Sequence, residues 1–240
     1  MSSFFKKIYF HLNSQLKKNR SGKTSYSLGG IDLLINHIFK DHEIGFYVDV
    51  GCNHPIKNNN TYLLHKRGWR GINIDLDKTS IEQFKTLRPN DFNINSCVSD
   101  SSGTAELYFY HQKSPINTID KNVNNYHGNN HKEIRTIKTQ TLNSIIENSK
   151  FKSNKINFLS IDVEGHEMNI LNGFDLEKYY PNIVVIEFLD LKIKKMELVN
   201  QNINRVFDSS IYKHMLKNKY HLVNWLHSDL VFASNDIRNF

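Results

Sequence analysis

Cysteine is scarce in this sequence. The 240 residues include two, Cys52 and Cys97, and their positions fit neither a CxxC motif nor the spacing of zinc ligands. Both lie at the ends of predicted strands, where a cysteine usually acts as a small buried hydrophobic residue. We therefore expect reduced thiols in a cytoplasmic protein.

Long apolar runs are also missing, and no segment approaches the ~20 residues that cross a membrane. Residues 4–12 are interrupted by Lys6 and Lys7 and lack a following small-residue cleavage site, so we expect no signal peptide. Residues 4–18 predict a basic amphipathic helix. Such a helix packs on its own domain or on a second copy in a homo-oligomer, or it contacts a membrane surface peripherally.

The composition is otherwise that of a globular protein. Hydrophobic residues make up 39% and aromatic residues 12% of the chain, enough for one α/β domain with a sizeable core. The net charge of +7 suits an anionic partner, such as a sugar nucleotide, a nucleic acid or an anionic membrane, or else reflects a solvated lysine-rich face. We predict a helical extension over residues 1–40 and a catalytic domain over residues 41–240.

Short apolar runs alternate with amphipathic segments along the chain. Runs that predict buried strands cover residues 46–50, 71–75, 93–98, 156–161 and 183–186. Helices predicted between them give a β-α-β-α-β order, which demands a parallel sheet with helices on both faces. Residues 220–225 and 230–233 predict a C-terminal antiparallel hairpin. The fold class is therefore α/β, with a mostly parallel sheet.

Residues 105–110 alternate and are rich in Tyr and Phe, which predicts an added strand, and residues 135–138 are short and strand-like. Three other segments carry specific expectations. Residues 79–82 predict a capping box that opens a helix. Residues 117–130 are rich in Asn and Gly and predict a mobile loop, of a length that often forms a lid or a binding loop. Residues 205–217 predict one helix.

Acidic and polar side chains recur where the predicted strands end. The residues at these ends are Asp49, Gly51, Asp75, Ser99, Asp100, Asp162, Glu164 and Glu187. In open α/β sheets, ligands bind beyond the carboxyl ends of the strands. Gly51 lets the backbone turn tightly beside a ligand. Asp75 is an acid at the place where both hydroxyls of an adenosine ribose can be bound.

The glycine-rich GxGxxG fingerprint is absent. Residues 52–55, which follow Gly51, include no further glycine, and a pyrophosphate needs the close backbone approach that those glycines allow. This argues against an NAD-dependent oxidoreductase and for a cofactor without phosphates, such as S-adenosylmethionine.

Three segments together resemble the FkbM family of methyltransferases. They are residues 47–53, 68–75 and 161–167, with Leu171 to Gly173 and Val185 to Glu187 fitting the same pattern. The resemblance covers about residues 46–233. It implies a Rossmann-like class I methyltransferase fold with a seven-stranded sheet and a C-terminal hairpin. It also implies O-methylation of a sugar or another hydroxylated metabolite.

The resemblance implies cofactor contacts at the strand ends, with Val98 and Ser99 near the adenine. The expected cofactor-binding residues are Asp49, Gly51, Asn53, Asp75, Leu76, Val98, Ser99 and Asp162. The sequence departs from the family at His54–Pro55, where many members carry a second glycine, and at Ser160, where a lysine is common.

Methyl transfer to a neutral hydroxyl benefits from a general base. Candidate bases are Asp162, Glu164 and His166, and His166 is preferred because its ordinary pKa is near neutrality. Asp162 and Glu164 can instead join Glu187 in binding Mg²⁺, which would acidify a bound hydroxyl. This alternative stays open.

The expected substrate is a sugar or a sugar nucleotide used for surface polysaccharide, such as capsule or lipopolysaccharide. Candidate substrate contacts are Glu187, His111, Lys113 and Arg135, of which the two cations could meet a diphosphate. A nucleic-acid base methyltransferase would carry an Asn/Asp-Pro-Pro-aromatic motif where residues 162–165 stand, so no nucleic acid is expected. An RNA ribose methyltransferase and a non-catalytic scaffold in a polysaccharide assembly complex remain alternatives.

Overall fold

The computed structural model describes residues 3–16, 22–191 and 201–238. The strands are β1 (Phe46–Val50), β2 (Arg70–Asp75), β3 (Phe92–Asn95), β4 (Cys97–Val98), β5 (Gly103–Phe109), β6 (Glu133–Gln140), β7 (Phe158–Ile161), β8 (Ile183–Glu187), β9 (Tyr220–Leu226) and β10 (Asp229–Ser234). The helices are α1 (Ser3–Gln15), α2 (Ile31–Ile38), α3 (Tyr62–Lys66), α4 (Lys78–Leu87), α5 (Lys121–Tyr126), α6 (Leu142–Glu147), α7 (Glu167–Asn172), α8 (Leu176–Tyr179), α9 (Ile203–Asp208), α10 (Ser210–Lys217) and α11 (Asn235–Arg238).

Seven strands form the main sheet, in the order β3-β2-β1-β7-β8-β10-β9. The first five are parallel, whereas β10 runs antiparallel to both β8 and β9. This confirms the predicted fold, a Rossmann-like, mostly parallel sheet that ends in a C-terminal hairpin. Strands β1, β7 and β8 are buried along their whole length, and their sequences are accordingly apolar except for Asp49, Ser160 and Glu187.

Alternate residues of these central strands enter two separate cores. Val48, Leu159 and Val184 belong to the larger core, which includes residues of α6, α7 and α10. Their neighbours Tyr47 and Phe158 belong to the second core, which includes α2 and Leu64 of α3. Side chains of successive strand residues point to opposite faces, so this alternation gives the sheet helices on both faces, as predicted.

A second sheet of three strands, β4-β6-β5, lies beside the first, and it corrects one prediction. Residues 93–98 do not form a single strand. The Ser96 amide donates to the Asp75 carbonyl at 3.0 Å, which ends the β3 ladder. Cys97 and Val98 then pair with Thr139 and Gln140 in the smaller sheet.

Local capping corrects three further expectations. Helix α4 is capped by Asp77, whose Oδ1 accepts from the Thr79 and Ser80 amides at 2.8 and 3.1 Å, so residues 79–82 are not a capping box. The predicted loop 117–130 contains α5, which begins after the cap Asp120. The predicted helix 205–217 is two helices, because Ser209 is extended and caps α10.

Helix α1 has no buried residue, so packing on its own domain is not observed for residues 3–16. Lys17 and Lys18, which end the predicted helix 4–18, lie outside the described residues. In the described part of the chain, no helix is long and apolar enough to cross a membrane.

Candidate functional site

A cleft opens at the carboxyl ends of β1, β2 and β7. It encloses about 820 Å³, including solvent at its mouth, which is a usual size for a small-molecule site. The predicted site residues that line it are Gly51, Asn53, Asp75, Leu76, Val98, Lys113, Asp162, Glu164 and His166. Five other predicted residues, Asp49, Ser99, His111, Arg135 and Glu187, lie outside this lining.

Gly51 begins the turn after β1 with a φ of 80°, a left-handed conformation that glycine adopts without strain. Its amide donates to the Ile74 carbonyl at 2.9 Å. A Cβ atom on Gly51 would lie 1.6 Å from the carbonyl oxygen of Asp162. The turns after β1 and β7 therefore touch, and they do so at the cleft.

Asp75 ends β2 with its carboxylate fixed by two backbone amides. Oδ2 accepts from the Asn53 amide and Oδ1 from the Asp77 amide, both at 2.7 Å. Burial raises the pKa of Asp75 to about 6, although these two hydrogen bonds oppose the shift. Each carboxylate oxygen has a second lone pair, so the group can accept further hydrogen bonds from a ligand in the cleft.

Asp49 lies beneath the cleft in a buried hydrogen-bond network. Its Oδ2 accepts from Asn59 Nδ2 at 3.0 Å and from Thr61 Oγ1 at 2.8 Å, while burial raises its pKa to about 6. The structure thus gives the Asp49 side chain two partners in the loop that connects β1 to α3.

Arg88 completes this network and is a residue that the sequence did not single out. Its side chain is fully buried and donates to Thr61 Oγ1 at 2.9 Å, to Asn59 Oδ1 at 2.7 Å and to the Pro55 carbonyl. An arginine directly after a helix ordinarily predicts a solvated helix end, so the sequence offered no signal for this role.

Three carboxylates meet beyond β7 and β8. One oxygen each from Asp162, Glu164 and Glu187 lies within 4.8 Å of the others. Glu164 reaches this position with a φ of 56°. Burial, followed by repulsion from Asp162 and Glu167, raises the pKa of Glu164 to about 8. The predicted metal-ligand residues are therefore close enough together to share one ion.

Glu167 holds the turn that carries these carboxylates, a role that the sequence did not assign. Its Oε1 accepts from the amides of Val163 and Gly165, each at 3.0 Å. Its pKa is raised to about 7, mainly by burial.

His166 lies in the cleft against Ser99. Its Nε2 is 2.9 Å from Ser99 Oγ, and Ser99 Oγ donates to Asp100 Oδ1 at 3.2 Å. Which of Ser99 Oγ and His166 Nε2 donates in this contact is set by the tautomer of the ring. Burial lowers the pKa of His166 below its ordinary 6.5, so the ring is mainly neutral at pH 7.

Residues 111–120, here called the strap, cross the cleft. At one end the Lys113 amide donates to Asp77 Oδ2 at 2.8 Å. At the other, Thr118 Oγ1 donates to the Glu164 carbonyl at 2.8 Å. Lys113 lines the cleft, whereas Arg135 pairs with Glu133 on β6. The predicted loop 117–130 overlaps the strap at residues 117–120, but the hydrogen bonds that hold the two ends of the strap could not be predicted.

Comparison with protein families places the chain in a known family. The model of the methyltransferase FkbM domain matches residues 49–222, which is more than half of the chain. The matched region begins at Asp49 and contains Asp75, the three clustered carboxylates and His166. No curated protein sequence matches the chain.

Proposed function

Since the chain belongs to the FkbM methyltransferase family, we propose that it moves a methyl group from S-adenosylmethionine to a sugar hydroxyl. The observation that carries this proposal is the cleft at the strand ends. Asp75 presents a fixed carboxylate there, and Asp162, Glu164 and His166 line the same cleft. One wall thus suits a ribose, and the others offer groups that can orient and deprotonate an acceptor.

S-adenosylmethionine would lie along the ends of β1 and β2. Asp75 would accept from the ribose hydroxyls, with Leu76 and Val98 beside the adenine. Gly51 and Asn53 would present backbone to the methionine portion, and the Asp162 backbone, whose carbonyl contacts Gly51, would border it on the other side. Ser99 would act indirectly, through its contact with His166, and Asp49 would act by holding the loop after Gly51.

His166 would serve as the general base. The direct displacement at the methyl carbon requires the acceptor oxygen, the methyl carbon and the sulfur in line, and the acceptor proton must leave. The lowered pKa of His166 keeps its ring unprotonated at pH 7. Glu164, whose pKa is about 8, is mostly protonated there unless a cation is bound, and it is the second candidate.

The acceptor would be a sugar, either as a nucleotide sugar or within a glycan, in the synthesis of a surface polysaccharide such as capsule or lipopolysaccharide. Lys113 lines the cleft and would face a phosphate of such a substrate. His111 and Arg135 would reach only a substrate that extends beyond the cleft. We propose a cytoplasmic location, where nucleotide sugars are available.

The test is a transfer assay with radiolabelled S-adenosylmethionine and a panel of nucleotide sugars, free sugars and glycans. Label in a sugar product that is stable to mild base, as an ether is and an ester is not, would support O-methylation. Transfer to RNA, with none to sugars, would move the assignment to a ribose methyltransferase. If a His166→Gln variant binds the cofactor and is as active as wild type, His166 is not the base.

A further inference from the structure

The ends of β7 and β8 bring two acidic residues side by side. The two strands are parallel neighbours in which Ile161 pairs with Ile186, so the residues that follow, Asp162 and Glu187, occupy adjacent positions at one edge of the sheet. Glu164 turns back toward them, and the three residues each place an oxygen within 4.8 Å of the others. Carboxylates that approach so closely repel one another.

Glu187 gives an independent indication of a ligand beside these carboxylates. Its side chain is 8% exposed, and its Oε2 is buried without a hydrogen-bond partner among the described residues. Asp229, which pairs with Glu187 across β8 and β10, adds another acid. Among residues 3–16, 22–191 and 201–238, no lysine or arginine is found in a salt bridge with the three carboxylates. A buried carboxylate oxygen without a partner is costly, and a cation would satisfy it.

We propose that Asp162, Glu164 and Glu187 bind one hard divalent cation, Mg²⁺ or Mn²⁺, beside the site of methyl transfer. Carboxylate oxygens are the preferred ligands of these ions, which complete their coordination with water or substrate oxygens. Asp162 and Glu164 line the cleft and Glu187 is not among its lining residues, so a bound ion would be open to ligands on the side of the cleft. A hydroxyl bound there would lose its proton more readily.

This inference rests on the proposed methyltransferase function but can fail without it. The rival occupant is the ammonium group of the cofactor, which carboxylates also bind. Metal binding is therefore measured directly, with Mn²⁺ alone, by electron paramagnetic resonance and calorimetry on the full chain. Glu187→Gln keeps the side-chain volume but removes one ligand charge, and Glu106→Gln, at an exposed position on β5, is the matched control.

We expect one Mn²⁺ per chain in wild type and in Glu106→Gln, and at least tenfold weaker binding in Glu187→Gln. A chelator should abolish methyl transfer while leaving S-adenosylhomocysteine bound. A folded wild-type chain that binds no Mn²⁺ at millimolar concentration overturns the metal site, and so does a Glu187→Gln variant that keeps wild-type Mn²⁺ affinity. If Mn²⁺ binds as expected but no methyl acceptor is found, the proposed function fails and the metal site stands.

A second inference comes from the distribution of charge. Residues 1–31 contain six basic residues and no acidic residue, whereas the remaining 209 residues contain 25 basic and 24 acidic residues. Almost all of the net charge of +7 is therefore carried by the N-terminal segment that includes α1. The rest of the chain is close to neutral.

Helix α1 carries two of these basic residues, Lys6 and Lys7, and has an exposed apolar face. At 100° per residue, its aliphatic and aromatic side chains cover an arc of about 140°, while Lys6 and Lys7 lie outside that arc. The side chains on this arc are Phe4, Phe5, Ile8, Tyr9 and Leu12, which are 66%, 61%, 40%, 57% and 51% exposed. Phe10 is also exposed, but it lies on the opposite side.

We infer that α1 lies in the surface of an anionic membrane. Aromatic and aliphatic side chains would enter the headgroup region while the basic residues pair with lipid phosphates. A second copy of the chain is a poorer partner for this apolar face. Pairing two α1 helices would bring together two N-terminal segments that each contain six basic residues and no acidic residue. The helix would thereby hold the enzyme beside lipid-linked or membrane-assembled glycans.

The test is co-sedimentation of the full chain with phosphatidylcholine vesicles that contain either no anionic lipid or roughly 30 mol% phosphatidylglycerol, an anionic lipid that attracts polybasic segments. We expect binding to the anionic vesicles alone, with at least a tenfold loss in Ile8→Asp and in a Lys6→Glu, Lys7→Glu variant. Ile44→Asp, at a site 79% exposed outside α1, is the control and should bind as wild type. Equal binding of wild type and Ile8→Asp, or a stable dimer that Ile8→Asp dissociates, would overturn the inference.

Discussion

Gly51 and Asp162 are in contact through the backbone, because a Cβ atom on Gly51 would lie 1.6 Å from the Asp162 carbonyl oxygen. The contact joins the turn after β1 to the turn after β7. One turn presents backbone to the cleft, and the other carries the clustered carboxylates. Their separation is therefore fixed by the absence of a side chain at Gly51.

Gly51→Ala should separate these turns. We expect a stability loss of at least about 2 kcal/mol, from left-handed strain and steric overlap together, and cofactor binding too weak to measure. Gly68→Ala is the matched control, since Gly68 also has a positive φ of 97° but nothing within 4 Å of its added Cβ. It should lose only about 1 kcal/mol. Equal losses in urea unfolding of the two variants would contradict the contact.

Asp75 should make cofactor binding depend on pH. Its pKa is raised to about 6 by burial, and the ionised carboxylate accepts hydrogen bonds from the ribose more fully than the protonated acid does. Affinity should therefore be constant above about pH 7 and fall by up to tenfold per pH unit below about pH 6. Calorimetric titration from pH 5 to 8 measures this dependence. Asp75→Asn should bind weakly without the step, and a step that persists in the variant would assign it to another group.

Arg88 should matter for stability although it does not line the cleft. Arg88→Met removes the donor to the Pro55 carbonyl and one of the donors to Asn59 Oδ1, and it removes the cation near Asp49, so we expect a loss of at least about 3 kcal/mol. Arg135→Met, on the exposed face of β6, should lose less than about 1 kcal/mol. Urea unfolding of both variants provides the comparison, and similar losses would show that the buried network contributes little.

His166 should govern turnover and not cofactor affinity. His166→Gln should reduce kcat by a factor of about 10² to 10⁴ and change the Kd of S-adenosylhomocysteine by no more than about twofold. In wild type, kcat/KM should fall as the pH falls through the His166 pKa, which burial places below 6.5, and the variant should lack this acid limb. Wild-type turnover in the variant would move the base to Glu164.

The sequence predicted the central sheet because its strands are buried on both faces. Runs such as Phe46–Val50 and Ile183–Glu187 are buried throughout and mostly apolar, and acids at strand ends marked the cleft. Strands were also predicted at residues 105–110 and 135–138, within β5 and β6, but their pairing in a second sheet was not predicted. Its strand β6 is mostly exposed, and the break after Asn95 depends on hydrogen bonds to the Asp75 carbonyl that only the folded chain brings into range.

The candidate site was predictable where a side chain follows a strand, as with Asp75, Asp162 and Glu187. It was not predictable where a residue forms a hydrogen bond with a partner that is distant in the sequence. Arg88 reaches Asn59 from 29 positions away, and Thr118 reaches the Glu164 carbonyl from 46. Neither residue type is unusual at its position, so periodicity and spacing give no signal for such long-range partners.

The measurement that tests the central claim most directly is calorimetric titration of the folded full chain with S-adenosylhomocysteine, beside NAD and beside the Asp75→Ala variant. The account predicts micromolar binding of S-adenosylhomocysteine by wild type, no binding of NAD, and at least tenfold weaker binding in the variant. A folded chain that binds neither ligand, or that binds NAD in preference, would contradict it.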